Sequence, residues 1–173
     1  VTHISAATAS LVWMTIDWIK SGKPTMIGLV TGTIAGLASI TPASGFVGVG
    51  GALALGVLSG VFTFYAVQLR NKTSLDDALD VFAIHGIGGI VGAVGTGIFA
   101  TSVGLIYGKT DAFIENIIAV VATMIYSLVV TLVILKILDV IPGLALRSSE
   151  SEEDNGLDIS DHGERAYVAD GAD

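Results

Sequence analysis

Residues 80–99, DVFAIHGIGGIVGAVGTGIF, decide how the remaining chain is read. From Val81 to Gly108 the only acid, base or histidine is His85, in a run long and apolar enough to cross a bilayer as a helix. Helical spacing puts Val81, Phe82, Gly88, Gly89, Gly92 and Thr96 on or beside the face that carries His85. Glycine has no side chain to hold a neighbour off, so this stripe admits a close backbone or a small ligand. An ionisable ring at such depth is costly in lipid and is expected to face the bundle interior or a pore. On the residues alone two roles stay open: a structural histidine hydrogen-bonded across helices, or part of a substrate or proton pathway. A metal site would need partner ligands, and with no cysteine and three histidines in the chain none is expected.

The wider composition agrees with a membrane setting. Of 173 residues, 52% are hydrophobic and 14% charged, well below the roughly 25% charged residues of soluble domains. The bilayer is therefore an expected partner, while neither a cofactor nor a nucleic acid is. No methionine or basic segment precedes the first apolar stretch, so no signal peptide is expected, and the chain reads as a piece of a longer protein. The net charge of −8 is not spread evenly: nine acidic residues and one basic residue lie from Glu150 onward, and the charges before it balance. That excess reports on a solvated tail, 148–173, beyond a membrane region, 1–147.

Outward from the central stretch, the spacing predicts an all-α polytopic bundle of about five transmembrane helices. The first covers Ile4 to Ile19 and ends in Trp13, Asp17, Trp18 and Lys20, which read as an interfacial anchor with Asp17 paired to Lys20. The uncharged run from Pro24 to Leu69 is too long for one span and is expected to break at Thr41-Pro42-Ala43-Ser44-Gly45. Gly28, Gly32 and Gly36 on one resulting helix, and Gly48, Ala52, Gly56 and Gly60 on the other, recur at intervals of four and predict close helix packing. Asp80 is placed to cap the His85 helix or to stabilise its positive end. The run from Asn116 to Leu135, poor in glycine, predicts a lipid-facing helix. With five spans, Lys20, Lys23, Arg70, Lys72, Lys136 and Arg147 share one side and Lys109 the other, which puts the C-terminus in the cytoplasm. In the tail, Ser148 to Asp154 reads as a solvated linker, and Gly156 to Tyr167 as disordered or as a docking segment.

Three stretches, DVFAIHGIGGIVGAVGTGIFA, ITPASGFVGVGGALALG and GLDISDHGERAY, resemble in order and spacing the C-terminal half of the ammonium transporters, a family that includes the Rhesus proteins. The resemblance covers nearly the whole chain, and the tail motif is closer to the ammonium transporters than to the Rhesus branch. It implies a fold of about eleven helices in two inverted repeats, assembled as a homotrimer in the cell membrane, of which this chain supplies most of the second repeat and the final helix. It implies that His85 is one of two pore histidines and that Val81, Ile34 and the adjacent Phe82 line the pore. The other histidine, the aromatic gate and most of the outer recruitment site belong to the half that this chain lacks. Ammonium would lose a proton and cross as ammonia, because an apolar lumen excludes desolvated ions. The tail positions Asp158, His162, Gly163, Glu164 and Tyr167 match a segment that responds to a PII-type nitrogen-signalling protein. Two other readings are a membrane-embedded hydrolase, with His85 as base and Ser39 or Ser59 as nucleophile, and an inactive packing fragment; neither serine stands in a G-x-S-x-G motif.

Overall fold

The computed structural model describes residues 1–144 and 146–165. Five long helices appear in the expected order: α1, Thr2–Ser21; α2, Met26–Ile40; α3, Val49–Arg70; α4, Gly88–Phe99, entered through a π turn at Phe82–Ile87; and α5, Asp111–Asp139. Two short helices come after them, α6, Glu150–Asn155, and α7, Leu157–Ser160. The chain divides into two compact units, Val1–Thr123 and Met124–Asp173.

By length and apolarity α3, the 82–99 segment and α5 can each cross a membrane. With 15 residues α2 falls short of the roughly 20 that a span needs. The 20 residues of α1 suffice in length, but they include six hydroxyl side chains. Those hydroxyls find partners: Thr8 and Thr15 donate to the carbonyls of Ile4 and Leu11 one turn back. Ser5 Oγ donates to Gly36 O at 3.0 Å and Ser10 Oγ to Leu29 O at 2.9 Å, both across to α2.

The first unit is organised about α1. Lipid tails are as apolar as the helices, so burial gives little drive for association, and close backbone packing with interhelical hydrogen bonds takes over. The glycines show where that happens. A Cβ on Gly36 would stand 2.6 Å from Ser5 O, and one on Gly56 of α3 would stand 2.8 Å from the same carbonyl. One turn on, Ala9 O would be 2.9 Å from a Cβ at Gly32 and 3.0 Å from one at Gly60. Both strips therefore grip α1, antiparallel on the α2 side and parallel on the α3 side. Gly48 and Gly50, at the start of α3, meet nothing within 4 Å. Below the strips, Trp13, Ala35, Phe64, Val67, Ala83 and Ile84 form one buried cluster, and Ile40, Ala43, Val47, Ala52 and Leu55 another.

Two expectations for α1 are corrected. Trp13 is not an interfacial anchor: it is 4% exposed and meets Phe64 edge to face at 5.2 Å, leaving Trp18 as the exposed indole. Asp17 does not pair with Lys20. Its Oδ2 accepts from Thr25 Oγ1 at 2.7 Å, and Thr25 in turn caps α2 by accepting from Gly28 N at 2.9 Å. Lys20 lies over the Tyr65 ring at 4.6 Å, where the aromatic face replaces the carboxylate as its partner.

No residue of α5 is buried. Its first residues touch α4 where Gly97 leaves room: a Cβ there would stand 2.6 Å from Phe113 Cα.

The contrast between gripped and open glycines yields a stability test. Gly36→Val forces the α1–α2 backbones apart and lowers stability by about 1–3 kcal/mol, whereas Gly50→Ala changes it by less than about 1 kcal/mol. Reversible unfolding in mixed micelles measures both.

Candidate functional site

His85 stands in the π turn, one residue beyond Ile84. Ile84 belongs to the buried cluster of Trp13 and Ala35, interior residues of α1 and α2, which seats the π turn on the bundle while His85 itself stays exposed. A π turn holds more residues than an α turn and so rotates the helix beyond it. Val81, Phe82 and His85 come out exposed, while Gly88, Gly92 and Thr96 turn inward. The expected common face of His85 and the glycines is thus split. Gly88 and Gly92 serve contact with α2: a Cβ on Gly88 would lie 3.3 Å from Ser39 Oγ, and one on Gly92 would lie 2.9 Å from Pro42 Cγ.

Ile34, on α2, is 42% exposed, against 50% for Val81 and 64% for Phe82. Since α2 packs on the π turn, all four candidate pore residues lie on neighbouring elements with their side chains unburied. Phe82 leans over Gly86, where an added Cβ would meet its ring at 3.1 Å. The result is an exposed ionisable ring on the same turn as the exposed Phe82, with Ile34 exposed on the helix that packs on that turn. His85 forms no hydrogen bond among the described residues.

The hydrolase alternative fails on geometry. Ser39 and Ser59 are fully buried, and their hydroxyls are 2.8 Å apart. Ser39 Oγ also lies 2.8 Å from Gly88 O, and Ser59 Oγ donates to Ala35 O at 2.7 Å. Neither bonds to His85 among the described residues: Ser59 gives its proton to Ala35 O, and Ser39 shares its one proton between Ser59 Oγ and Gly88 O. Sequence reasoning missed this serine bridge, which ties α2, α3 and α4 together.

Capping of the π turn is also corrected. The carboxylate that caps is Asp77, whose Oδ1 accepts from Val81 N at 2.8 Å and Oδ2 from Phe82 N at 3.1 Å. Asp80 instead accepts from Arg70 Nε at 3.0 Å, and Arg70 Nη2 donates to the same oxygen.

In the second unit the acidic run is not a bare linker. Ser149 and Glu152 form a reciprocal capping box at the start of α6, and Arg147 holds Glu153 through two bonds of 2.7 and 2.8 Å. Within the tail motif, Gly163 adopts φ 66°, a left-handed turn that glycine tolerates, and Glu164 N returns to Asp158 O at 2.9 Å. Asp161 takes the Ser148 hydroxyl at 2.9 Å, and His162 is exposed. Tyr167 lies outside the described residues.

Taken together, an all-helical fold in which three helices are long and apolar enough to cross a membrane defines the class as a polytopic membrane protein. The Ammonium Transporter Family matches residues 1–167, and the chain belongs to that family. It is 47% identical to ammonium transporter Amt1 of Archaeoglobus fulgidus, over 97% of this chain and 44% of that protein. With the ammonium transporter of Bacillus subtilis it shares 43% identity over 96% of this chain and 43% of that one. The crystal structure of Saccharomyces cerevisiae Mep2 superposes with a TM-score of 0.79 at 35% identity, covering 87% of this chain and 40% of that chain. Candida albicans Mep2 gives a TM-score of 0.81 at 36% identity, over 87% and 36%. The chain thus spans about two fifths of the length of these relatives.

Acid should loosen the start of the tail. The Ser149 hydroxyl, and then its N–H, hold the Glu152 carboxyl below the ordinary value of 4.5, and the hydrogen bond from Arg147 holds that of Glu153 below it as well. With both folded values depressed, this stabilisation is complete above about 4.5 and is lost as pH falls through the lower folded values. Carbon-13 secondary shifts at Glu150–Asn155 should hold steady from neutral pH to about 5 and weaken as the pH falls below the ordinary carboxylate range.

Proposed function

We propose that this chain forms one wall of a pore that conducts ammonia across the cell membrane. His85 is one member of a histidine pair in it, and Ile34, Val81 and Phe82 are its apolar lining. The observation that carries the reading is the His85 ring exposed on an apolar surface, in a chain whose relatives are named ammonium transporters. A lipid-facing imidazole would be costly, so the remainder of the transporter, more than half the length of the relatives, is the natural cover for this wall.

The chemistry rests on cost. Ammonium and potassium ions cannot shed water into an apolar passage, whereas neutral ammonia crosses and needs only a polar foothold. An imidazole donates through one nitrogen and accepts through the other, so it can hold ammonia and relay a proton. We assign the assembly to a homotrimer by its family resemblance. We place the C-terminus in the cytoplasm because six of the seven basic residues of 1–147 share that side. The division into a membrane region, 1–147, and a tail, 148–173, rests on the same charge asymmetry. The folded turn at Asp158, His162, Gly163 and Glu164, with Tyr167 beyond it, suits docking of a PII-type regulatory protein.

Methylammonium uptake by the native protein in proteoliposomes tests the role of His85. His85→Ala should lower uptake by about tenfold or more, as loss of a proton-handling group does. His85→Asp should admit potassium, because a fixed charge offsets the cost of an ion in the passage. Unchanged uptake and selectivity in both would remove His85 from the mechanism.

A further inference from the structure

The segment that carries His85 is held from both ends. Ahead of it, Asp80 has φ 53°, a left-handed conformation that non-glycine residues occupy only where their surroundings impose it. Its carbonyl is an early acceptor of the helix, taking Ile84 N at 2.9 Å, so turning Asp80 swings every residue after it. The side chain is fixed on Arg70, the last residue of α3, which closes the 71–79 loop against that helix. The two side chains are 21% and 23% exposed, sheltered enough to hold one geometry. Behind His85, Ser39 Oγ reaches Gly88 O at 2.8 Å. Between the clamps lies the π turn, the least regular part of the span.

We propose that the Arg70–Asp80 pair is a positioning device for His85: by fixing the left-handed turn at Asp80 it sets the bearing of the π turn and therefore the direction in which the ring points. The division of labour between the two aspartates supports this. Asp77 already caps the first two N–H groups, so the Asp80 carboxylate is not needed at the helix end and is free to act sideways on α3. The pair and the backbone turn are separable. Glycine at position 80 permits the left-handed backbone without strain but loses the ion pair that holds it there, whereas asparagine tolerates the backbone and keeps a neutral acceptor.

The proposal rests on the transport reading for its consequence but not for its geometry, and the test keeps the two apart. The native protein, with nitrogen-15 in its histidines, is compared with Arg70→Gln, Asp80→Gly, Asp80→Asn and the double variant Arg70→Gln/Asp80→Gly. The readouts are the His85 ring signals, the pH profile of methylammonium uptake, and uptake per folded molecule. The expected result is a displaced ring signal and pH profile in Arg70→Gln and Asp80→Gly, with uptake down about threefold or more. The double variant should be no worse than either single one, because both remove one contact, and Asp80→Asn should be intermediate. Unmoved ring signals with an unchanged pH profile in folded Arg70→Gln and Asp80→Gly would overturn the proposal. Ring signals that move, beside uptake that His85→Ala leaves intact, would uphold the positioning role and sink the transport role of His85.

Discussion

The carbonyls of Ser5 and Ala9, wedged between the glycines of α2 and α3, are the contact on which the first unit depends. In a bilayer two apolar helices gain little by leaving lipid for each other, so what distinguishes the folded bundle is how closely the backbones approach and how many hydroxyls cross between them. Ser5 does both, since its carbonyl fills the space left by Gly36 and Gly56 and its hydroxyl donates to Gly36 O. An interhelical hydrogen bond of this kind contributes about 0.6 kcal/mol on average. The stability of the contact therefore comes from the summed dispersion of a tight seam, which one added methyl group opens.

From that seam the position of His85 is set in steps. With α1, α2 and α3 locked, Ser39 and Ser59 meet in the interior, and Ser39 fixes the entry to α4 at Gly88. At the other end of α3, Arg70 fixes Asp80. His85 is thus presented by a segment whose two ends are tied to different helices, neither tie touching the ring. Rigid support with an unencumbered side chain suits a group that has to meet a passing molecule.

Periodicity made the scaffold legible. Small residues at intervals of four marked the gripped faces, and Thr41-Pro42 marked the break between α2 and α3, because both signals are local and depend on backbone geometry alone. The arrangement about His85 was less legible. FAIHGI carries no proline or other mark of a π turn, and projecting an ideal α-helix through it put Gly88, Gly89 and Gly92 on the histidine face, when Gly88 and Gly92 in fact pack inward and only Gly89 stays open. Asp77 and Asp80 both precede the helix, and only the left-handed turn at Asp80 decides which one caps. The partners of Asp17 and Lys20 were misread for a similar reason: spacing along one helix suggests a pair, but Thr25 and Tyr65 come from other segments. The Ser149-x-x-Glu152 capping box was open to view, since its spacing is a known helix start, yet the acidic composition around it masked the signal.

That the wall of Ile34, Val81, Phe82 and His85 borders a narrow conduit is the central claim, and the density around the ring tests it most directly. A cryo-electron microscopy map of the native protein in lipid nanodiscs should show the His85 ring edging a lumen shut off from the bilayer, with a second imidazole across from it. A ring resting on acyl chains, or sealed in a solid helix contact with no passage beside it, would contradict the account.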